Sequence, residues 1–169
     1  MVCALELTLL LRYNYVVMTR PGQVDSQVPR GKAAFHTLLP VAAFLIDQPF
    51  PPAGKVIVAV VALAMTVSVV GGPRWSLFGR LFQQVIRPAM HLGPGTIESA
   101  APHQFAEMVG AIFLLAATGA FLLGLATVGW VLSLLVAALA ALNWLAGFCV
   151  GCQMYVLLRR MRARAPRGV

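Results

Sequence analysis

Two long stretches without a charged residue constrain the fold of this chain more than any other feature. The first runs from Val56 to Val70 and the second from Met108 to Leu125. A helix that packs in a soluble domain carries polar residues on its outer face, at every third or fourth position, and neither stretch does. Because about 20 apolar residues cross the hydrocarbon layer of a bilayer, both stretches predict membrane-spanning helices.

Composition and charge distribution both favour a membrane protein. Of the 169 residues, 60% are hydrophobic and 11% are charged, whereas soluble domains average about 45–50% apolar and about 25% charged residues. A net charge of +8 is a common sign of nucleic-acid binding. Here the basic residues flank apolar stretches and do not line one soluble face. We therefore expect the lipid bilayer as the partner, and no nucleic acid.

The order of apolar stretches and turn residues predicts an all-α fold, a four-helix transmembrane bundle made of two hairpins. Proline-rich residues 47–52 separate the first pair of spans, and residues 126–129 turn between the last pair. The predicted spans cover residues 33–46, 55–70, 105–125 and 130–152. This membrane domain covers residues 24–160, between an N-terminal lead of residues 1–23 and a basic tail of residues 161–169.

Residues 75–88 predict a different kind of helix. Their apolar side chains recur at helical spacing and the opposite side carries arginine and glutamine. This pattern is typical of an amphipathic helix that lies in the membrane interface. We expect it in the middle loop, with its end at Pro88.

The positions of the basic residues predict the orientation. Every lysine and arginine except Lys55 lies before the first span, between the second and third, or after the fourth. Because basic loops stay on the cytoplasmic side, both termini and the middle loop are expected in the cytoplasm. Arginine outnumbers lysine eleven to two, which hints at a GC-rich bacterial genome. The prediction is therefore a multi-pass protein of the bacterial cytoplasmic membrane.

The first residues fit neither a signal peptide nor a span. Residues 1–17, which contain Cys3, include a short apolar run with no basic region before it. A more ordinary polar lead begins at Met18. The hypothesis is that translation starts at Met18.

The most pointed chemical feature is the pair Cys149 and Cys152 near the end of the last predicted helix. At positions i and i+3 of a helix the two sulfurs share one face. A continuous span through residue 152 places them near its cytoplasmic, C-terminal end, where the helix dipole raises a thiol pKa. Gly147 and Gly151 provide places where the helix can bend.

Three interpretations of the pair stay open. In the first, Cys149 and Cys152 are the catalytic residues of a thiol–disulfide or sulfur relay with a cytoplasmic partner. In the second they supply half of a metal site, completed by His36, His91, His103 or a second copy of the chain in a homo-oligomer. In the third they are small packing residues of a structural or accessory subunit, since small residues let membrane helices approach closely. No organic cofactor is predicted.

Other polar residues of the spans are interpreted structurally. Asn143 is expected to hydrogen-bond to a neighbouring helix, and Glu107 to lie close to the interface. Charged residues do not form the rows expected along a pore, so a channel is not favoured. Nothing in the sequence matches a nucleotide-binding loop or a catalytic triad.

The C-terminal signature is similar to that of a known family. Residues 148–160, read as FCVGCQMYVLLRR, resemble the closing signature of the bacterial membrane family known as domain of unknown function 4395. Residues 76–79 with Arg87-Pro88 resemble its middle loop. Residues 102–106 with Val109-Gly110 resemble the entrance to its third helix. The resemblance covers residues 24–160.

The resemblance implies a multi-helix integral membrane protein in which Cys149 and Cys152 are the matching cysteines. Members encoded beside thioredoxin-like or sulfurtransferase proteins imply such a protein as the cytoplasmic partner, and thiol or sulfur handling as the activity. Quinone-linked thiol oxidases generally use a second cysteine pair, which the sequence lacks, so that enzyme class is not favoured.

Overall fold

The computed structural model describes residues 22–72, 75–93 and 95–164, with the backbone alone for residues 162–164. The predictions about residues 1–17, Met18 and Cys3 therefore lie outside the described residues.

Helices dominate the described part of the chain. The longer helices are α1 (Gln27–Asp47), α2 (Ala53–Gly71), α5 (Ala100–Leu122), α6 (Ala126–Ala146) and α7 (Val150–Arg164). Between α2 and α5 lie α3 (Leu77–Leu81), a π-helical turn (Phe82–Ile86) and α4 (Arg87–Ala89), and two short strands complete the fold, β1 (Gln23–Asp25) and β2 (Ile97–Ser99).

Three of these helices are long and apolar enough to cross a membrane: α2, α5 and α6. α1 has a similar length of 21 residues but carries Arg30 and Lys32 near its start and is not among the three. Large apolar side chains cover much of the outer surface, as at Leu122, which is 85% exposed. Outward-facing apolar side chains suit helices that are surrounded by lipid tails.

The core lies where α1, α2, α5 and α6 meet. α2 packs against α1 and α5, and α6 packs against α1 and α5. Leu114 and Val58 are completely buried there, together with small residues such as Ala43 and Ala117. Small side chains permit the close helix contacts on which membrane bundles depend, because lipid provides no hydrophobic driving force between helices.

The predicted amphipathic segment is helical but not uniform. Phe78 of α3 stacks on Phe35 of α1 with ring centroids 5.4 Å apart, and the buried ring of Phe82 lies over Gly31. The prediction that Pro88 ends this segment was wrong by one residue, since α4 continues to Ala89.

A two-stranded antiparallel ladder departs from the all-α prediction. Gln23 pairs with Ser99, Val24 with Glu98, and Asp25 with Ile97. Asp25 also accepts hydrogen bonds from the backbone N–H groups of Gln27 and Gly95. Its carboxylate forms a buried ion pair with Arg87, with 2.9 Å between Oδ2 and Nη2. The ladder therefore ties the entrance of α1 to the loop before α5.

The prediction of one continuous last helix through residue 152 was wrong. α6 ends at Ala146, and Gly147 adopts a left-handed conformation with φ of 66°. The N–H of Gly147 donates to the carbonyl of Asn143. A left-handed glycine is a common helix terminator because it has no Cβ to clash in that conformation. A separate helix, α7, then begins at Val150.

Candidate functional site

The break after Gly147 places the cysteine pair at the start of α7. Cys149 immediately precedes the helix and Cys152 lies in its first turn. The backbone N–H of Cys152 donates a hydrogen bond to Sγ of Cys149 across 3.3 Å. Cys149 thus faces the positive end of the helix dipole, which favours a thiolate. The prediction that the dipole raises the thiol pKa was wrong because the pair lies at a helix N-terminus.

His103 of α5 completes a cluster with the two cysteines. Its Nδ1 lies 3.5 Å from Sγ of Cys152. One nitrogen of His103 and the two sulfurs lie within 4.8 Å of one another. Of the three histidines that the sequence offered as companions of the pair, the structure brings His103 to it, whereas His36 and His91 are not in the cluster.

Glu98 holds the other side of the imidazole. Its Oε2 lies 3.1 Å from Nε2 of His103. Because Nε2 faces Glu98, Nδ1 is the ring nitrogen that contacts the sulfur of Cys152. Sequence reasoning missed Glu98, because a carboxylate in a loop five residues before a histidine has no recognisable spacing. The strand pairing of β2 is what presents it.

Close packing between α5 and α7 brings the cluster together. Gly151 lies against Ala106, and a Cβ added at Gly151 would be only 2.5 Å from that of Ala106. One turn further along, the rings of Phe105 and Tyr155 meet with centroids 5.8 Å apart. The absence of a side chain at Gly151 therefore allows α7 to approach α5, which carries His103.

The environment lowers the pKa of the Cys149 thiol to about 5. The largest cause is a hydrogen bond from the Cys152 thiol, and His103 and the backbone N–H of Cys152 lower the pKa further, while burial opposes them. The pKa of Cys152 is raised, first by the same hydrogen bond to Cys149 and then by burial. Both thiols are free and half-buried. The lowered pKa of Cys149 favours its thiolate, and the raised pKa of Cys152 keeps that thiol protonated.

A cavity of about 280 Å³ adjoins the cluster, and both Cys149 and His103 contribute to its wall. Lys32 and Glu107 also line it, and Nζ of Lys32 lies 2.6 Å from Oε2 of Glu107. Glu107, predicted to lie close to the membrane interface, therefore neutralises a partly buried lysine.

Two further polar residues of the predicted spans line the same cavity. Asn143 is one of them. The other, His36, is buried, and its Nε2 has no hydrogen-bond partner among the described residues. Neither residue belongs to the cysteine cluster.

Comparison with known proteins identifies the family. Neither the curated proteins nor the solved structures contain a match to this chain. The sequence profile of the family described as Domain of unknown function (DUF4395) matches residues 24–160. The matched range includes Glu98, His103 and both cysteines of the cluster. The chain therefore belongs to the DUF4395 family.

Proposed function

We propose that the chain is an integral membrane component that transfers electrons or sulfur through Cys149 and Cys152 in exchange with a cytoplasmic protein. One observation carries the proposal. Sγ of Cys149 caps the N-terminus of α7 and lies beside both a second thiol and an imidazole. Helix N-termini and Cys-X-X-Cys motifs are the surroundings in which cysteines become nucleophilic.

The proposed location is the bacterial cytoplasmic membrane, with α1, α2, α5 and α6 as four crossings in two hairpins. α1 fits because 21 residues at about 1.5 Å each reach across the roughly 30 Å hydrocarbon layer. Four crossings leave the start of α1 and the end of α6 on the same side. In support, the guanidinium of Arg30 lies beside Gly147, and the positive-inside rule assigns that basic side to the cytoplasm.

The proposed exchange begins with the thiolate of Cys149. It attacks one sulfur of a disulfide on the partner, and the other sulfur of that disulfide leaves as a thiolate. The thiol of Cys152 then loses its proton and attacks Sγ of Cys149. An intramolecular disulfide forms, and the partner is released in its reduced form, with one thiol that has taken up the proton from Cys152 and one thiolate. Two electrons pass from this chain to the partner, and the reverse sequence returns them.

Sulfur transfer uses the same nucleophile. When the partner carries a persulfide, the Cys149 thiolate attacks its terminal sulfur. The terminal sulfur moves to Cys149 and the partner keeps a thiolate. A thioredoxin-like protein or a sulfurtransferase is the partner class that supplies these groups.

His103 is proposed to move the proton of Cys152. Its Nδ1 is close enough to accept that proton, and Glu98 holds the opposite nitrogen. Imidazole is suited to this work because its ordinary pKa is near neutral pH. His103 is therefore the base for the second step, and Glu98 is a positioning residue that acts through it.

The test is a trapping experiment in intact membranes. In a Cys3→Ser background, Cys152→Ser removes the resolving thiol, so that the mixed disulfide between Cys149 and the partner accumulates. The matched variant Cys149→Ser is expected to trap nothing. Maleimide labelling of the Cys3→Ser protein, before and after reduction, should reveal a reducible bond between the two cysteines.

Thiols that stay unreactive in the folded protein, with no trapped species, would contradict the exchange. That outcome would favour the structural or accessory subunit, in which the cysteines only pack α7 against α5.

A further inference from the structure

The cysteine cluster also has the donor set of a metal centre. The nearest atoms of His103, Cys149 and Cys152 are one ring nitrogen and two sulfurs, mutually within 4.8 Å. Zinc–sulfur bonds of about 2.3 Å and zinc–nitrogen bonds of about 2.0–2.1 Å allow one ion to reach three atoms spaced in this way. The cysteines come from one helical turn and the histidine from another helix, so the packing of α7 against α5 brings the three donors together.

The contact between Glu98 and His103 is the second observation. A histidine that binds a metal through one nitrogen usually donates the other N–H to a carboxylate or carbonyl group, which fixes the ring and its tautomer. Glu98 meets Nε2 at 3.1 Å, and Nδ1 faces the sulfur of Cys152. The ring is thus oriented with its free nitrogen toward the cysteines, as a ligand would be.

Donor chemistry selects the ion. Two thiolates and one imidazole favour soft or borderline ions, and zinc takes this combination readily, whereas calcium and magnesium prefer oxygen donors. Among the described residues, no other histidine, cysteine or carboxylate joins these three as a fourth ligand. Three protein ligands leave a fourth position for water or a small molecule, the usual arrangement of reactive zinc sites.

We propose that the reduced protein binds one Zn²⁺ ion through His103, Cys149 and Cys152, with Glu98 orienting the histidine. His103 and Cys149 also line the cavity of about 280 Å³, which has room for a small molecule on the fourth position. The proposal goes beyond thiol exchange, because zinc requires both thiolates at once and cannot stay bound when they form a disulfide. Reduction of the pair therefore allows zinc to bind, and oxidation to the disulfide releases the ion.

Zinc content measures the proposal directly. Full-length protein in a Cys3→Ser background, purified in detergent without a polyhistidine tag, is reduced, incubated with Zn²⁺ and desalted. Elemental analysis should give about one zinc per chain. Oxidation of the pair with diamide should release it. Loading with Co²⁺ should give the visible and near-ultraviolet absorption bands of a tetrahedral ion bound by thiolates.

Variants identify the ligands. Competition with a chromophoric chelator should show that His103→Ala weakens zinc binding by at least about tenfold, and that Glu98→Gln weakens it by about tenfold to a hundredfold. The exposed His91 is the matched control, and His91→Ala should bind as the parent protein does. Circular dichroism checks that each variant keeps its helices.

The proposal is overturned if the folded, reduced parent protein retains less than about a tenth of an ion per chain. It is also overturned if His103→Ala binds zinc as tightly as the parent, or if the oxidised protein keeps the metal. Failure of thiol exchange is separable, because the trapping experiment is repeated on chelator-treated protein. Zinc binding without a trapped partner would remove the exchange reaction and leave the metal centre.

Discussion

The backbone N–H of Cys152 donates to Sγ of Cys149 across 3.3 Å, so the first cysteine of the pair caps the helix that carries the second. This single contact makes the two thiols unequal. Cys149 accepts hydrogen bonds that stabilise its thiolate, and Cys152 supplies one of them through its own thiol. A pair that shares one proton in this way titrates as a unit.

The first prediction concerns the pH dependence of alkylation in metal-free protein. Because the pKa of Cys149 is lowered to about 5, its alkylation by iodoacetamide should rise between about pH 4 and pH 6 and then level off. A thiol with the ordinary pKa of about 8.5 would continue to gain reactivity up to about pH 9. Peptide mass spectrometry of the Cys3→Ser protein measures the rate, and Cys152→Ala should move the midpoint to higher pH. A midpoint above pH 8 in the parent would contradict the lowered pKa.

The second prediction tests the imidazole. In its protonated form, His103 lowers the pKa of Cys149 through a hydrogen bond and through its charge. Removal of the ring by His103→Ala should therefore shift the alkylation midpoint of Cys149 upward, in the same assay. His91→Ala is the control, since His91 is exposed, and it should leave the midpoint unchanged. Equal midpoints in all three proteins would show that the imidazole does not act on Cys149.

The third prediction compares two glycines that lie within helices. Gly151→Ala puts a methyl group 2.5 Å from the Cβ of Ala106, whereas Gly119→Ala meets nothing within 4 Å. Overpacking of this kind typically costs about 1–3 kcal/mol, so α7 should lift from α5 and the cysteines should move away from His103.

The readouts for this pair of variants are the trapped mixed disulfide and the pH profile of alkylation. Both should change in Gly151→Ala and stay as in the parent in Gly119→Ala. If the two variants behave alike, the contact between α5 and α7 is not what assembles the site.

The fourth prediction concerns the buried ion pair that anchors the loop before α5. Asp25 and Arg87 are 3% and 6% exposed, and loss of one partner leaves the other charge buried. Asp25→Ala should lower the free energy of unfolding by roughly 3–5 kcal/mol. Arg80→Ala, at an exposed position, should change it by no more than about 0.5 kcal/mol. Thermal unfolding in detergent, followed by circular dichroism, distinguishes these values, and equal effects would refute the anchoring role.

The fifth prediction concerns orientation. A reporter that is active only in the cytoplasm, fused after Val169, should be active, and one that needs export should not. Fusions placed between α1 and α2 should give the opposite result, because that loop belongs to the other side. Export of the C-terminal fusion would place the cysteine cluster outside the cell and exclude a cytoplasmic partner.

Much of the helical framework could be predicted from hydropathy alone. The uncharged stretches around Val58 and Leu114 lie in α2 and α5, both apolar enough to cross a membrane. The helix ends were less predictable. α5 begins at Ala100, five residues before the predicted start of the third span at Phe105, and α6 begins at Ala126 instead of near Trp130. Polar or turn-forming residues at a helix end do not reveal whether the helix continues beyond the apolar stretch.

The candidate site was predictable only in part. The spacing of Cys149 and Cys152 identified the pair, but the chemistry of the pair depends on the left-handed turn at Gly147. From the sequence, a glycine at this position is equally compatible with a bend in one helix and with a complete break between two helices. The choice of His103 over His36 depends on packing between α5 and α7. The position of Glu98 depends on the pairing of two strands that are more than 70 residues apart in the chain, and no local sequence pattern indicates such a contact.

The β1–β2 ladder links two parts of the chain that are distant in sequence, the residues before α1 and the residues before α5. Val24, shortly before α1, is paired with Glu98, whose carboxylate rests against the imidazole next to the thiols. A change in the register or position of β1 would therefore also change the backbone position of Glu98, and with it the contact that Glu98 makes with His103.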